Sequence, residues 1–103
     1  MIHSIRLDLG HFSTAQSLHE ALAAALGFPD YYGMNWDAFD ECISDHNVLW
    51  PGETELVLYR LEILEERLPR EAKLLCDCLY DGAKSRPGFS YRFEQGSPND
   101  AAT

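Results

Sequence analysis

Leu56-Val57-Leu58-Tyr59 is a run of four apolar residues with no polar break, the pattern of a short strand covered on both faces. Two weaker strand signals flank it at a distance. Ile5, Leu7 and Leu9 alternate with Ser4, Arg6 and Asp8, and Phe89, Tyr91 and Phe93 alternate with Ser90 and Arg92. Both have the period of a strand buried on one face. Helical periodicity fills the gaps between the three. Strand, helices, strand, helices, strand predicts a parallel sheet with right-handed helical crossovers. The most continuously apolar strand belongs in the middle. The expected fold is α/β, a two-layer structure with a three-stranded parallel sheet in order 1-2-3 packed against helices. A chain of 103 residues has room for one such core. Residues 1–94 are expected to form a single domain and the small, polar residues 95–103 a flexible C-terminal tail.

Ser13 and Gln16 have capping-box spacing, and Leu18, Leu22 and Leu26 then recur every four residues, so a first helix is expected from about Thr14 to Leu26. Gly27 and Pro29 end it. Phe28 to Asn35 reads as a turn built on Gly33, with Asn35 placed to cap a second helix running to about Ser44. In that helix Trp36, Phe39 and Ile43, with Cys42 beside them, form a core-facing stripe. Leu61 to Leu68 reads as a short helix. Pro69 opens a longer one with Leu74, Leu75, Cys78 and Leu79 inward, and Gly82 is expected to close it.

Charge is segregated along the chain. The net charge is −9, and no Lys or Arg occurs between Arg6 and Arg60. Residues 7–59 hold nine acids, whereas the rest of the chain holds eight acids and eight bases. This balance argues against direct binding to nucleic acid or to an anionic membrane, and for a basic partner or simple solubility. No apolar run reaches the roughly 18 residues of a membrane span, and the start lacks a signal-peptide pattern. Cys42, Cys76 and Cys78 are odd in number and sit in apolar segments, which fits reduced thiols of a cytoplasmic protein.

Opposite the apolar stripe of the second helix lie Asp37, Asp40, Glu41 and Ser44, at i, i+3, i+4 and i+7. Acids in a first helical turn are favoured by the dipole, by about 0.3–1 kcal/mol each, which accounts for Asp37. Glu41 lies a turn further on, in a like-charge i,i+4 pair with Asp37, and no basic residue of this helix relieves it. A solvated face and a binding face both fit that pattern. Tyr31 and Tyr32 beside Gly33 add rigid contact area next to the acids. Tyr32 is expected to fold over the core and Tyr31 to stay outside.

Leu18-His19-Glu20-Ala21-Leu22, followed by Phe28-Pro29-Asp30-Tyr31-Tyr32-Gly33-Met34-Asn35-Trp36-Asp37-Ala38-Phe39-Asp40-Glu41-Cys42, resembles the barstar family, intracellular inhibitors of barnase-type ribonucleases. The close match runs from Leu18 to Asp45, and its specific parts are the Leu-His pair and the Tyr-Tyr-Gly-x-Asn-x-Asp-Ala junction. The resemblance implies that the second helix and its preceding loop plug a basic ribonuclease active site, with a carboxylate in the place of a substrate phosphate. Tyr31, Gly33, Asn35 and Asp37 match the family's contact residues unchanged. Trp36 replaces a leucine and is still expected to pack at the rim. Asp40 stands where the family has a tryptophan, and Glu41 where it has the phosphate-mimicking aspartate. A further acidic contact from the long helix has Gly82 at or near its position, with Asp77 and Asp81 the nearest candidates. The loop from Asp45 to Glu55 is longer than in the family, and Trp50 in it is a candidate replacement for the lost aromatic contact.

The resemblance thus implies a ribonuclease inhibitor of antitoxin or immunity type, not an enzyme, whose partner is a basic extracellular or toxin ribonuclease, with no nucleic acid or membrane bound directly. No cofactor, metal or catalytic residue is expected. Asp37 and Glu41 with His46 nearby form the best acid–base cluster, but no nucleophile motif or phosphate-cradling loop accompanies them. Cys76 and Cys78, two apart on a helix, point about 200° apart and cannot chelate one ion. The alternative is an acidic interaction module of the same fold with a basic partner that is not a ribonuclease.

Overall fold

The computed structural model describes residues 2–44 and 52–95. His46, Trp50 and the tail from residue 96 lie outside the described residues. Strand β1 is His3–Asp8, helices α1 and α2 are Ala15–Leu26 and Trp36–Ser44, and strand β2 is Thr54–Tyr59. Helices α3 and α4 are Leu61–Arg67 and Pro69–Ser85, and strand β3 is Phe89–Glu94. The sheet is all parallel in order β1-β2-β3, as the apolar continuity of the middle strand requires.

Register explains how β2 is buried on both faces. Leu56 and Leu58 join the core with Leu18, Leu22 and Leu26 of α1, Phe39 and Ile43 of α2, Leu64 of α3, and Leu75 and Leu79 of α4. Both crossovers run the same way along the sheet, so right-handedness puts both helix pairs on that one side. Val57 and Tyr59 point the other way and are also buried. Arg6 and Arg92 flank Val57 in register, and Asp8 and Glu94 flank Tyr59. The second face is therefore an apolar centre framed by charged side chains, of which Arg6 and Arg92 are long enough to lay their carbon stems along it. On β3, Phe89 is buried, Tyr91 half-buried and Phe93 exposed, as an outer strand allows.

Two sequence expectations are corrected. The cap of α1 is Thr14 and not Ser13: Thr14 Oγ1 accepts from the Ser17 N–H at 3.1 Å, and Gln16 turns outward to Glu20. Gly82 does not close α4, which continues to Ser85 with Arg86 as its C-cap. Gly82 is instead the point where α4 crosses α2. A β-carbon there would stand 2.1 Å from Ile43 Cγ2, so the absence of a side chain sets how closely the two helices approach.

One feature at the carboxyl end of the sheet was not anticipated. Arg60, directly after β2, has a left-handed backbone (φ 59). Its guanidinium forks onto the Asp8 carboxylate, with Nε to Oδ1 at 2.9 Å and a second, shorter contact from Nη2 to Oδ2. Asp8 also accepts the Gly10 N–H at 2.8 Å. The fork joins the ends of β1 and β2 and fixes the entry to α3.

Candidate functional site

The candidate site is built on the junction between α1 and α2. Gly27 ends α1 in the left-handed conformation (φ 69), and Phe28 then packs edge-on to Phe39. Tyr32 is buried, and its hydroxyl shares a 2.5 Å hydrogen bond with His19 Nδ1 on α1. Tyr31, next to it, is 78% exposed. The two tyrosines therefore divide as the sequence led us to expect, one ring in the core and one in solvent. His19 is buried and its ring pKa is lowered by that burial, against the opposing pull of the Glu71 charge.

Asn35 organises the turn from both ends of its amide. Oδ1 accepts the Ala38 N–H at 2.8 Å, capping α2, and Nδ2 donates back to Gly33 O at 3.1 Å. A β-carbon on Gly33 would meet Asn35 Nδ2 at 3.2 Å, so glycine leaves room for that return bond. Between them Met34 takes a left-handed backbone (φ 54), uncommon for a residue with a side chain.

Helix α2 then carries Asp37 and Glu41 exposed, with Asp40 and Ser44 half-buried on the same side. Among the described residues no Lys, Arg or His lies within salt-bridge distance of Asp37, Asp40 or Glu41. Helix α4 adds two more acids. The Cys78 thiol lies among Asp40 and Asp37 of α2 and Asp81 and Asp77 of α4, and burial together with those charges pushes its pKa up to about 11. Asp77 is paired with Lys73 at 3.2 Å. The acidic surface thus spans two helices. Gly82, buried against Ile43, is not part of it.

Trp36 sits differently from its neighbours. The residue is 9% exposed, and its ring packs 4.4 Å from His19 and 5.4 Å from Phe39, centroid to centroid. Its indole N–H donates to Glu71 Oε2 on α4 at 2.5 Å, and its carbonyl accepts from the Cys78 thiol at 3.7 Å. The core-facing stripe, and not the exposed face, is where the structure puts this side chain. Glu71 is the residue that the sequence reading missed. An acid in the first turn of a proline-led helix looks like a dipole partner, and nothing local marks it as buried.

A family model described as Barstar (barnase inhibitor) matches residues 2–94, nearly the whole chain. The chain belongs to the barstar family. That family is one of ribonuclease inhibitors and not of enzymes, and its match extends well past the Leu18 to Asp45 stretch that carries the sequence resemblance. No curated protein matches the chain. The matched range takes in every strand and helix described above, from β1 to β3. Among the described residues no group of three or more His, Cys, Asp or Glu stands close enough to hold a metal ion, and the three cysteines are free thiols. No helix among the described residues is long and apolar enough to cross a membrane.

Proposed function

We propose that this chain inhibits a barnase-type ribonuclease by filling the enzyme's basic, RNA-binding cleft with the exposed face of α2 and the loop before it. The observation that carries the reading is the set of Asp37, Asp40 and Glu41 on one side of a single helix, with no basic residue of the described chain bonded to any of them. Like charges held that close destabilise the undocked helix, by about 0.2–0.5 kcal/mol per pair in water. Against a cleft built to hold phosphates they become complementary. Glu41 takes the place of a phosphate, Asp37 and Asp40 pair with flanking basic side chains, and Asp81 of α4 extends the contact. Tyr31 supplies rigid aromatic area, Gly33 lets the loop approach closely, and Ser44 lies at the far edge of the face. Asn35 and Trp36 hold the turn, Trp36 from beneath. The protein needs no cofactor and acts in the cytoplasm, protecting its host from a secreted or toxin ribonuclease.

The test is a titration of RNA cleavage by a barnase-type ribonuclease at nanomolar concentrations, wild type beside Glu41→Ala. Stoichiometric inhibition is expected, with the substitution costing about 2 kcal/mol or more, the scale of a central interface anchor. An association rate that falls steeply with salt is expected as well. A loss below about 0.5 kcal/mol removes Glu41 from the centre of the face. Absence of inhibition by the wild type sinks the inhibitor reading and points to a basic partner of another kind.

A further inference from the structure

We infer that Glu71 is a positioning residue for the α2 face: its buried carboxylate grips Trp36 and thereby holds the first turn of α2, with Asn35 and Asp37, in a single geometry. The inference rests on the inhibitor reading for its functional consequence but not for its structural one.

A carboxylate in a core is costly, and it persists there only when both oxygens are satisfied. Glu71 is 9% exposed, with Oε2 on the Trp36 indole N–H and Oε1 on Arg70 Nη1 at 3.1 Å. The residue it grips sits in a decisive place. Trp36 lies between the capping Asn35 and the exposed Asp37, two residues after the strained Met34. Left-handed backbone at a side-chain-bearing residue survives only where its surroundings over-determine it. Here they do so from both sides. His19 holds the Tyr32 hydroxyl before Met34, Glu71 holds the Trp36 indole after it, and the His19 and Trp36 rings lie against each other. Helix α4 touches Trp36 a second time, through the Cys78 thiol on its carbonyl. A cleft of about 350 Å³ opens directly over this cluster, between Met34, Asn35 and Asp37 on one side and Arg70, Glu71 and Leu74 on the other. The turn therefore has open space beside it, and Glu71 is the charged group that keeps it from relaxing into that space.

The variants are Glu71→Leu, Glu71→Gln and Trp36→Phe, read by hydrogen exchange, by the indole N–H resonance of Trp36 and by ribonuclease inhibition. Val57→Ala, on the far side of the sheet, serves as a destabilised control. Glu71→Leu and Trp36→Phe are expected to speed exchange of the Ala38 and Phe39 amides roughly tenfold more than that of Leu22, and to weaken inhibition by roughly tenfold, the scale of one lost charge-assisted hydrogen bond. Glu71→Gln, which keeps an acceptor for the indole, is expected to stay near wild type in both. Equal protection at Ala38 and Phe39 in wild type, Glu71→Leu and Trp36→Phe overturns the inference, whatever the ribonuclease result. So does a loss of inhibition no larger than that of Val57→Ala. Faster exchange in a chain that inhibits no ribonuclease supports the positioning role while sinking the inhibitor reading.

Discussion

Gly82 and Ile43 are in contact at a distance that no side chain on residue 82 can share: a β-carbon built there lies 2.1 Å from Ile43 Cγ2. Helix propensity alone favours alanine over glycine by about 1 kcal/mol. The overlap opposes it, because both residues are buried and an overfilled core costs about 1–3 kcal/mol. Gly82→Ala is therefore expected to lower stability by roughly 1 kcal/mol or more in urea denaturation. Ile43→Leu, which moves the branch off the β-carbon, is expected to cost less in the Gly82→Ala background than in the wild type. Additive losses would show that the two helices separate freely.

Met34 gives the opposite sign. Its left-handed backbone costs about 1–2 kcal/mol for an ordinary residue, whereas asparagine tolerates that region. Met34→Asn is expected to raise the urea midpoint by an amount corresponding to about 0.5–1 kcal/mol, and Met34→Val to lower it, since a branched β-carbon is worst placed there. The residue is exposed, so little packing is lost in either case.

His19 sets a pH dependence near neutrality. Burial holds its native pKa below the ordinary 6.5, so the unfolded chain takes up a proton that the native one refuses. The native state keeps its full advantage above pH 6.5 and loses it as pH falls from there to the lowered native pKa, below which the loss levels off. Melting temperatures measured across that interval are expected to slope downward for the wild type and to lie flatter for His19→Gln.

Asp8 governs a separate, more acid window. Burial pushes its carboxyl up, but the Arg60 hydrogen bonds, the Gly10 N–H and the Arg60 charge outweigh it, and the native pKa lies below 3.8. Stability from this group is complete above pH 3.8 and is lost as pH falls through the lower native value. Asp8→Asn is expected to weaken the protein at neutral pH and to flatten the acid limb of its stability profile. An unchanged acid limb would show that the fork onto Arg60 contributes nothing.

The legible parts of the sequence were those whose cause is local. Leu56 to Tyr59 announced a central strand by continuity, and Ile5, Leu7 and Leu9 announced an outer one by alternation. Asn35 announced a helix start. Adjacent hydroxyls were less clear: Ser13 met the capping spacing, but Thr14 is the residue the α1 turn uses. Gly82 looked like a helix end because glycine favours such ends, yet the real stop is Pro87-Gly88, and Gly82 serves a contact with a residue far back in the chain. Glu71 and Trp36 are 35 residues apart, and nothing local in either segment signals that they meet. The acidic face was legible because it lies on one helix; the network beneath it was not, because it joins three elements.

The partner helix of α2 has a consequence for the order of assembly. Among the elements, α2 packs on α4, and its two ends are fastened by hydrogen bonds spanning 35 residues at Trp36 and 43 residues at Ile43, where Arg86 Nη1 donates to the carbonyl. Contacts of that span form only after the intervening chain has closed on itself. A growing polypeptide that has released α2 but not α4 carries all three carboxylates of Asp37, Asp40 and Glu41 without the frame that orients them. A cut between the two helices would likewise leave the charge on one piece and the Glu71, Cys78 and Arg86 contacts that frame it on the other.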